Sequence, residues 1–120
     1  MITIKSHGFK YSRPEANFIF DVSYFANPWR DEKIRNSKSD TKKDEILKFM
    51  IEQPGMGTFV NNIVTLIETY NTYYPDEDIR VAICCSAGEY RSPAVVELVA
   101  KDLKRKKIDV KIIHNDNSKI

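Results

Sequence analysis

Residues 79–93, with the sequence IRVAICCSAGEYRSP, decide the fold of this chain. The apolar run Ile79 to Cys85 predicts a buried strand, and Ser92-Pro93 is typical of a helix start, with serine as the N-cap and proline at the first helical position. Between them, the loop Ser86 to Arg91 leads into a helix N-terminus. Unpaired N–H groups and the positive end of the helix dipole favour a phosphate there, and Arg91 adds a fork of donors. The sequence therefore predicts an anion site in this loop.

Composition indicates the class of protein. A length of 120 residues with 42% hydrophobic content predicts one small domain with a single core. The 19 basic and 17 acidic residues leave a formal charge of +2, so the total charge does not indicate a nucleic acid or a membrane surface as partner. We expect a cytoplasmic location, because the only two cysteines are adjacent and the N-terminus lacks an apolar signal core. No stretch is long enough to span a bilayer.

Strand and helix patterns alternate along the chain. They predict strands at 2–5, 18–22, 79–85 and 110–114, a long loop at 23–41, and helices at 43–52, from the cap Thr58 onward, and from Ser92 to about Lys106. The prediction is an α/β fold: a small single-domain sheet of about four strands with a strand–phosphate loop–helix–strand crossover. Residues 1–114 form the domain and 115–120 a flexible tail. Because ligands bind at the carboxyl ends of parallel strands, Asp21, Cys85 and His114 are candidate site residues.

The loop resembles a known catalytic motif. Cys85, five residues, and then Arg91-Ser92 resemble the phosphate loop of the cysteine-dependent protein phosphatases. That resemblance implies Cys85 as the nucleophile, a phosphoryl group held by the loop and Arg91, and Ser92 assisting the thiolate leaving group. Cys84 stands where those enzymes usually have a histidine, and no Asp occupies an obvious general-acid position.

A second resemblance covers almost the whole chain, from about residue 6 to residue 116. It is carried by Gly8-Phe9-Lys10-Tyr11, Pro14, Phe20-Asp21-Val22, Asn27-Pro28, Arg35, Val81-Ala82-Ile83, Cys85, Gly88, Arg91, Ser92, Glu97 and His114. With these residues the chain resembles the C-terminal domain family of the RNase adapter protein RapZ. The resemblance implies a small α/β domain that binds glucosamine-6-phosphate, in a regulator that presents a small RNA to a ribonuclease.

Three positions depart from that family. Trp29 and Tyr90 replace histidines, and Ser23 replaces an arginine. The two aromatic rings offer stacking surfaces that suit a nucleotide or another aromatic phosphorylated ligand. The full set of candidate ligand-binding residues is Asp21, Asn27, Trp29, Arg35, Cys85, Ser86, Ala87, Gly88, Glu89, Tyr90, Arg91, Ser92 and His114.

Three classes of function follow. The first is a binding module for a small phosphorylated metabolite, either an amino-sugar phosphate or a nucleotide-like compound, acting as a sensor, adaptor or sequestering protein. The alternatives are a cysteine-dependent phosphatase using Cys85, Arg91 and Ser92, and an RNA-binding adaptor using the basic residues 101–107, which equally suit a solvated helix end. No cofactor is expected, and no metal, because only His7 and His114 remain beside the cysteine pair as soft ligands. A homo-oligomer is left open.

Overall fold

The run Ile79–Cys85 forms the third strand of the computed structural model, which describes residues 1–120. The elements are β1 (Ile2–Gly8), β2 (Phe18–Asp21), a 3₁₀ turn (Pro28–Arg30), α1 (Glu32–Arg35), α2 (Ser39–Ile51), α3 (Met56–Tyr73), β3 (Ile79–Cys85), α4 (Arg91–Arg105) and β4 (Val110–Ile113). They form a single α/β domain, which confirms the predicted fold class. None of the helices is both long enough and apolar enough to cross a lipid bilayer.

The four strands are parallel and lie in the order β2-β3-β1-β4. The two central strands, β1 and β3, have seven residues each, whereas the edge strands have four and are more exposed. Only a central strand is covered on both faces, and this explains why β3 is apolar at nearly every position. Because all strands run the same way, residues from all four strand ends meet along one edge of the sheet.

The helices cover one face of the sheet. Helix α4 packs against β1 and β3 and contacts both α2 and α3. Helix α3 lies beneath the edge strand β2, where Phe18 meets Tyr70 edge to face at 5.3 Å between centroids. The apolar residues Val95, Val99 and Leu103 of α4 are fully buried, so the core lies between the sheet and this helix layer.

The connection from β1 to β2 crosses the opposite face. Alternation along β1 points His7 away from the helices, and its ring nitrogen Nε2 lies 2.8 Å from the carbonyl oxygen of Ser12. A right-handed crossover from β1 past β3 to β2 requires this placement. Ala82 and Cys84, which also face this side, have no exposed surface. Residues 9–17 therefore cover the centre of the sheet where no helix does.

Some predicted boundaries were wrong. Helix α4 begins at Arg91 with Tyr90 as its N-cap, so Ser92 is the second helical residue and caps nothing. The N-cap of α3 is Gly55, not Thr58. The predicted loop 23–41 holds the 3₁₀ turn, α1 and the first residues of α2. The division of the chain at residue 114 stays a prediction; the residues beyond it do contact the loop.

Candidate anion-binding site

The carbonyl oxygens of the loop between β3 and α4 are bonded to groups that surround it. Backbone N–H groups donate to four of them: Phe9 to Cys85 (2.9 Å), Lys10 to Ser86 (2.9 Å), Lys119 to Glu89 (2.9 Å) and Ala94 to Tyr90 (3.1 Å). The side-chain amide of Asn115 donates to the carbonyl oxygen of Gly88 at 3.0 Å. The chain on three sides of the loop, at the end of β1, in α4 and after β4, therefore fixes the orientation of most of its peptide units.

These bonds determine where the loop N–H groups point. In a planar trans peptide the N–H is antiparallel to the C=O of the preceding residue. When the carbonyl of one loop residue accepts a hydrogen bond from the surrounding chain, the N–H of the following residue therefore points in the opposite direction, away from that donor. None of the backbone N–H groups from Ser86 to Arg91 donates a hydrogen bond within the protein. A run of free amides at a helix N-terminus offers hydrogen-bond donors to an anion.

Two glycines permit this close packing. A Cβ on Gly8 would lie 2.7 Å from the backbone carbon of Ala87, so β1 supports the loop only because residue 8 has no side chain. Gly88 has a φ of +73°, a left-handed conformation that glycine adopts without strain, and a Cβ there would lie 2.8 Å from the amide of Asn115. Gly88 is a candidate site residue, and its role is to shape the loop.

Arg91 links the loop to the end of β2. Its Nη1 donates to the carbonyl oxygens of Ser23 and, at 3.1 Å, of Phe25, and its Nη2 lies 3.4 Å from the hydroxyl of Ser86. The carboxylate of Asp21 accepts from both the N–H (2.8 Å) and the hydroxyl (2.6 Å) of Ser23 and thus orders the same turn. Three predicted site residues, Asp21, Ser86 and Arg91, are thereby connected to one another.

The two cysteines occupy different environments. The Cys85 thiol is 2% exposed and donates to the Ser92 hydroxyl at 3.2 Å, which in turn donates to the carbonyl oxygen of His7 at 3.3 Å. Cys84 points to the other face of the sheet. Burial raises the pKa of its thiol to about 12, with a further contribution from the negative charge of Asp21. Cys84 is therefore a neutral packing group.

Trp29 and Tyr90 are stacked on each other. Their ring centroids are 5.1 Å apart with an angle of 10° between the planes, and the ammonium group of Lys42 lies 5.3 Å from the centroid of the Trp29 ring. The Asn27 side chain accepts from the Trp29 N–H at 3.1 Å, and Arg35 donates to the Trp29 carbonyl at 2.7 Å. Burial raises the pKa of the Tyr90 hydroxyl, so this ring is neutral at pH 7. The four candidate residues Asn27, Trp29, Arg35 and Tyr90 thus form one cluster at the end of the loop.

His114 lies at the far side of the loop. Its Nδ1 is 3.2 Å from the hydroxyl of Ser6, and its Nε2 is 3.8 Å from the carboxylate of Glu97. Glu97 also pairs with Lys43 at 2.6 Å. The Nε2 atom is buried without a hydrogen-bond partner. His114 is thus linked to the loop only indirectly, through Ser6 and the Asn115 side chain that bonds Gly88. The sequence did not indicate Ser6 as a site residue.

The structure therefore brings all the candidate residues to the carboxyl edge of the sheet, although several of them form hydrogen bonds that hold other residues of the site in place. Ser86, Ala87 and Gly88 supply free amides, and the Glu89 side chain turns toward Lys119, whose ammonium is 3.7 Å from its carboxylate. Sequence reasoning missed Ser6, Asn115 and Lys119. The position of Asn115 directly after the predicted strand 110–114 was the one available signal.

The three larger clefts of the surface, of about 480, 470 and 450 Å³, lie outside the loop. The first opens between Tyr24, Phe25 and the start of α3, the second lies between α2, α3 and α4, and the third lies between α2, α4 and β4. None of them is lined by residues of the loop. The loop is thus a shallow site, and no three His, Cys, Asp or Glu side chains are grouped as a metal site would require.

The basic residues 101–107 lie at the other end of α4. Arg105 pairs with Asp102 at 3.0 Å and Lys106 with Glu68 at 3.4 Å. Intramolecular partners thus take up part of the positive charge that an RNA would use. RNA binding by this surface stays a prediction.

Comparisons with known proteins identify related sequences. The profile of a family described as the RapZ C-terminal domain matches residues 1–118. A nucleotide-binding protein of Corynebacterium efficiens is 32% identical over 120 residues, which are 96% of this chain and 38% of that protein. A nucleotide-binding protein of Endomicrobium trichonymphae is 35% identical, with 95% of this chain and 40% of that protein covered. One of Kocuria rhizophila is 34% identical, with 96% and 39% covered. The chain spans less than half the length of these relatives.

Proposed function

Because the chain belongs to the RapZ C-terminal domain family, we propose that it is a binding domain for a small phosphorylated metabolite. The loop Ser86–Arg91 holds the phosphate group. The observation that supports this most strongly is the set of loop carbonyls bonded outward while the loop N–H groups have no acceptor. Arg91 supplies the positive charge, and the N-terminus of α4 adds its dipole.

The relatives suggest a class for the rest of the ligand. They are named nucleotide-binding proteins, and each is more than twice as long as the part that matches. Nucleotides and amino-sugar phosphates share the phosphate group, and that group is what the loop suits. Trp29, which is 39% exposed, lies beside it and provides aromatic surface for a sugar or a base, whereas Tyr90 is 7% exposed and is stacked against the Trp29 ring. A sensor, adaptor or sequestering role would use such binding without turnover.

Binding without hydrolysis fits the surroundings of Cys85. Cleavage of a phosphate ester needs an exposed nucleophile and a proton donor for the leaving oxygen, which contributes roughly 10²–10⁴-fold. The Cys85 thiol is 2% exposed. Among nearby acids, Asp21 is engaged by Ser23, and Glu89 faces Lys119. Neither carboxylate is placed as an evident donor.

A cysteine-dependent phosphatase is the second candidate, and one contact favours it. The hydroxyl of Ser92 lies 3.2 Å from the Cys85 sulfur, where it could assist a thiolate leaving group. The two candidate functions use the same loop and the same arginine. They are distinguished by whether the bound ligand is hydrolysed.

One pair of measurements tests the proposal. Calorimetric titration with inorganic phosphate, glucosamine-6-phosphate and a nucleoside monophosphate measures binding. Incubation with an aryl phosphate and with phosphopeptides under reducing conditions measures turnover, with Cys85→Ser as the matched control. We expect binding of at least one phosphorylated compound and no turnover. Turnover that disappears in Cys85→Ser would establish the phosphatase instead, and the absence of any binding would contradict both candidates.

A further inference from the structure

The residues after β4 form a strap along the loop; we call Asn115–Lys119 the C-terminal strap. The Asn115 side-chain amide donates to the carbonyl oxygen of Gly88 at 3.0 Å, and the Lys119 backbone N–H donates to that of Glu89 at 2.9 Å. The Lys119 ammonium also lies 3.7 Å from the Glu89 carboxylate. The strap therefore contacts the two residues in the middle of the loop.

Within the protein, only the strap donates hydrogen bonds to this middle part. The first carbonyls of the loop are held by the N–H groups of Phe9 and Lys10, and the last one, on Tyr90, is held by α4. The carbonyls of Gly88 and Glu89 accept hydrogen bonds from the strap alone. Since each peptide unit is planar, these two bonds set the direction of the N–H groups of Glu89 and Tyr90.

The orientation of the Asn115 amide is determined by its partners. Its Nδ2 donates to the Gly88 carbonyl and, at 2.9 Å, to the hydroxyl of Ser6, while its Oδ1 accepts from the Asn117 N–H at 2.9 Å. A flipped amide would place Oδ1 against the Gly88 carbonyl, and two acceptors repel. Every polar atom of this side chain is used.

Ser6 anchors Asn115 to the sheet. The Ser6 hydroxyl is 2% exposed and accepts from both the N–H (3.1 Å) and the Nδ2 (2.9 Å) of Asn115. With both lone pairs used, its O–H donates to Nδ1 of His114 at 3.2 Å. This leaves the proton of a neutral His114 on Nε2. The strap is thus connected through one buried hydroxyl to the central strand β1.

We propose that Asn115 is a positioning residue of the anion site: through the C-terminal strap it holds the Glu89 and Tyr90 amides in the direction that binds phosphate. The inference rests on the proposed function. It adds that residues outside the loop keep the loop in one conformation. A loop that is ordered before the ligand arrives binds more tightly, because less conformational entropy is lost on binding.

Asn115→Ala in the full chain tests this role, with Asn117→Ala as the matched control. Asn117 is exposed, and its side chain makes no hydrogen bond to the loop. Two quantities are measured: the Kd of inorganic phosphate by calorimetry, and the backbone ¹⁵N order parameters of the Glu89 and Tyr90 amides by NMR without ligand. We expect Asn115→Ala to bind phosphate roughly tenfold more weakly, the equivalent of one lost hydrogen bond, and to lower both order parameters. Asn117→Ala should match the wild type in both.

A second pair of variants guards against a folding defect. Lys119→Pro removes the N–H that bonds Glu89, whereas Lys119→Ala keeps it, and residue 119 is exposed and outside the helices and strands. We expect a lower order parameter of the Tyr90 amide and weaker phosphate binding in Lys119→Pro than in Lys119→Ala. Equal order parameters and equal Kd values in Asn115→Ala and the wild type, or in the two Lys119 variants, would overturn the inference. If the wild type binds no phosphate, the proposed function fails, and the order parameters alone still decide whether the strap orders the loop.

Discussion

The indole ring of Trp29 lies flat on the phenol ring of Tyr90, with centroids 5.1 Å apart. Tyr90 is the residue before Arg91 and the N-cap of α4, so this stack joins the long segment after β2 to the anion loop. The ammonium of Lys42 lies over the indole as well. An aromatic ligand would therefore meet an aromatic rim that is already assembled, and would compete with Lys42 for the indole face.

We expect Trp29 to favour aromatic phosphorylated ligands. Trp29→His, which introduces the residue found in the family at this position, should shift the preference toward glucosamine-6-phosphate. A lost stacking contact of about 0.5–1.5 kcal/mol corresponds to a shift of roughly two- to tenfold. Competition titrations of both proteins against glucosamine-6-phosphate and an aromatic phosphate measure it. Tight binding of glucosamine-6-phosphate by the wild type, with no binding of the aromatic compound, would refute this preference.

Arg91→Ala should weaken phosphate binding strongly. The guanidinium is held at the loop by the carbonyls of Ser23 and Phe25, and each charge-assisted hydrogen bond to a phosphate contributes about 1.5–3 kcal/mol. Arg91→Lys should restore little, because an ammonium group cannot bridge the same acceptors. Calorimetry with inorganic phosphate gives the two affinities.

Arg105→Ala is the matched control for Arg91→Ala. It removes the same charge from the opposite end of the same helix, where Arg105 pairs only with Asp102 on the surface. An equal loss of affinity in both variants would mean that net charge and not the loop determines binding. An unchanged affinity in Arg91→Ala would remove Arg91 from the site.

Two glycine substitutions should have opposite effects on stability. In Gly88→Ala the new Cβ would lie 2.8 Å from Asn115 at a φ of +73°, so we expect a loss of roughly 1–2 kcal/mol and weaker phosphate binding. In Gly57→Ala nothing lies within 4 Å of the new Cβ in α3, so a gain of about 0.4–1 kcal/mol is expected. Denaturant unfolding measures both changes. A Gly88→Ala protein as stable as the wild type would show that the left-handed turn is not required.

Cys84 makes stability depend on pH in the alkaline range. Burial raises the pKa of its thiol from 9.0 in the unfolded chain to about 12 in the folded protein. The folded state thus holds this proton more tightly, and the resulting stabilisation is complete below pH 9.0 and is lost as the pH rises toward about 12. In Cys84→Ala the free energy of unfolding should fall less steeply across this range. Identical slopes for the two proteins would contradict the burial of an ionisable thiol.

Most of the fold follows from local patterns in the sequence. The apolar run at 79–85 and the spacing of Val95, Val99 and Leu103 are sufficient to predict β3 and α4. The start of α4 was misjudged, because serine and proline are common at helix starts. Here the Ser92 hydroxyl bonds the Cys85 thiol and the His7 carbonyl, and neither partner can be inferred from neighbouring residues.

The support of the loop could not be predicted for a related reason. Asn115 lies 27 positions from Gly88 and 109 from Ser6, so the bonds between them exist only once the sheet has formed. Sequence patterns identify residues such as Arg91, whose charge suits a phosphate ligand. They do not identify residues such as Ser6 and Asn115, whose hydrogen bonds hold the loop in place and are not made to a ligand.

The central claim is that the free amides of Ser86–Arg91 bind the phosphate of a small ligand. Titration of the ¹⁵N-labelled protein with inorganic phosphate, followed by amide chemical shifts, tests it most directly. We predict saturable shifts of the Ser86, Ala87, Gly88, Glu89, Tyr90 and Arg91 amides, with little change at the basic end of α4. Shifts confined to residues 101–107, or no saturable shift in the loop, would contradict the claim.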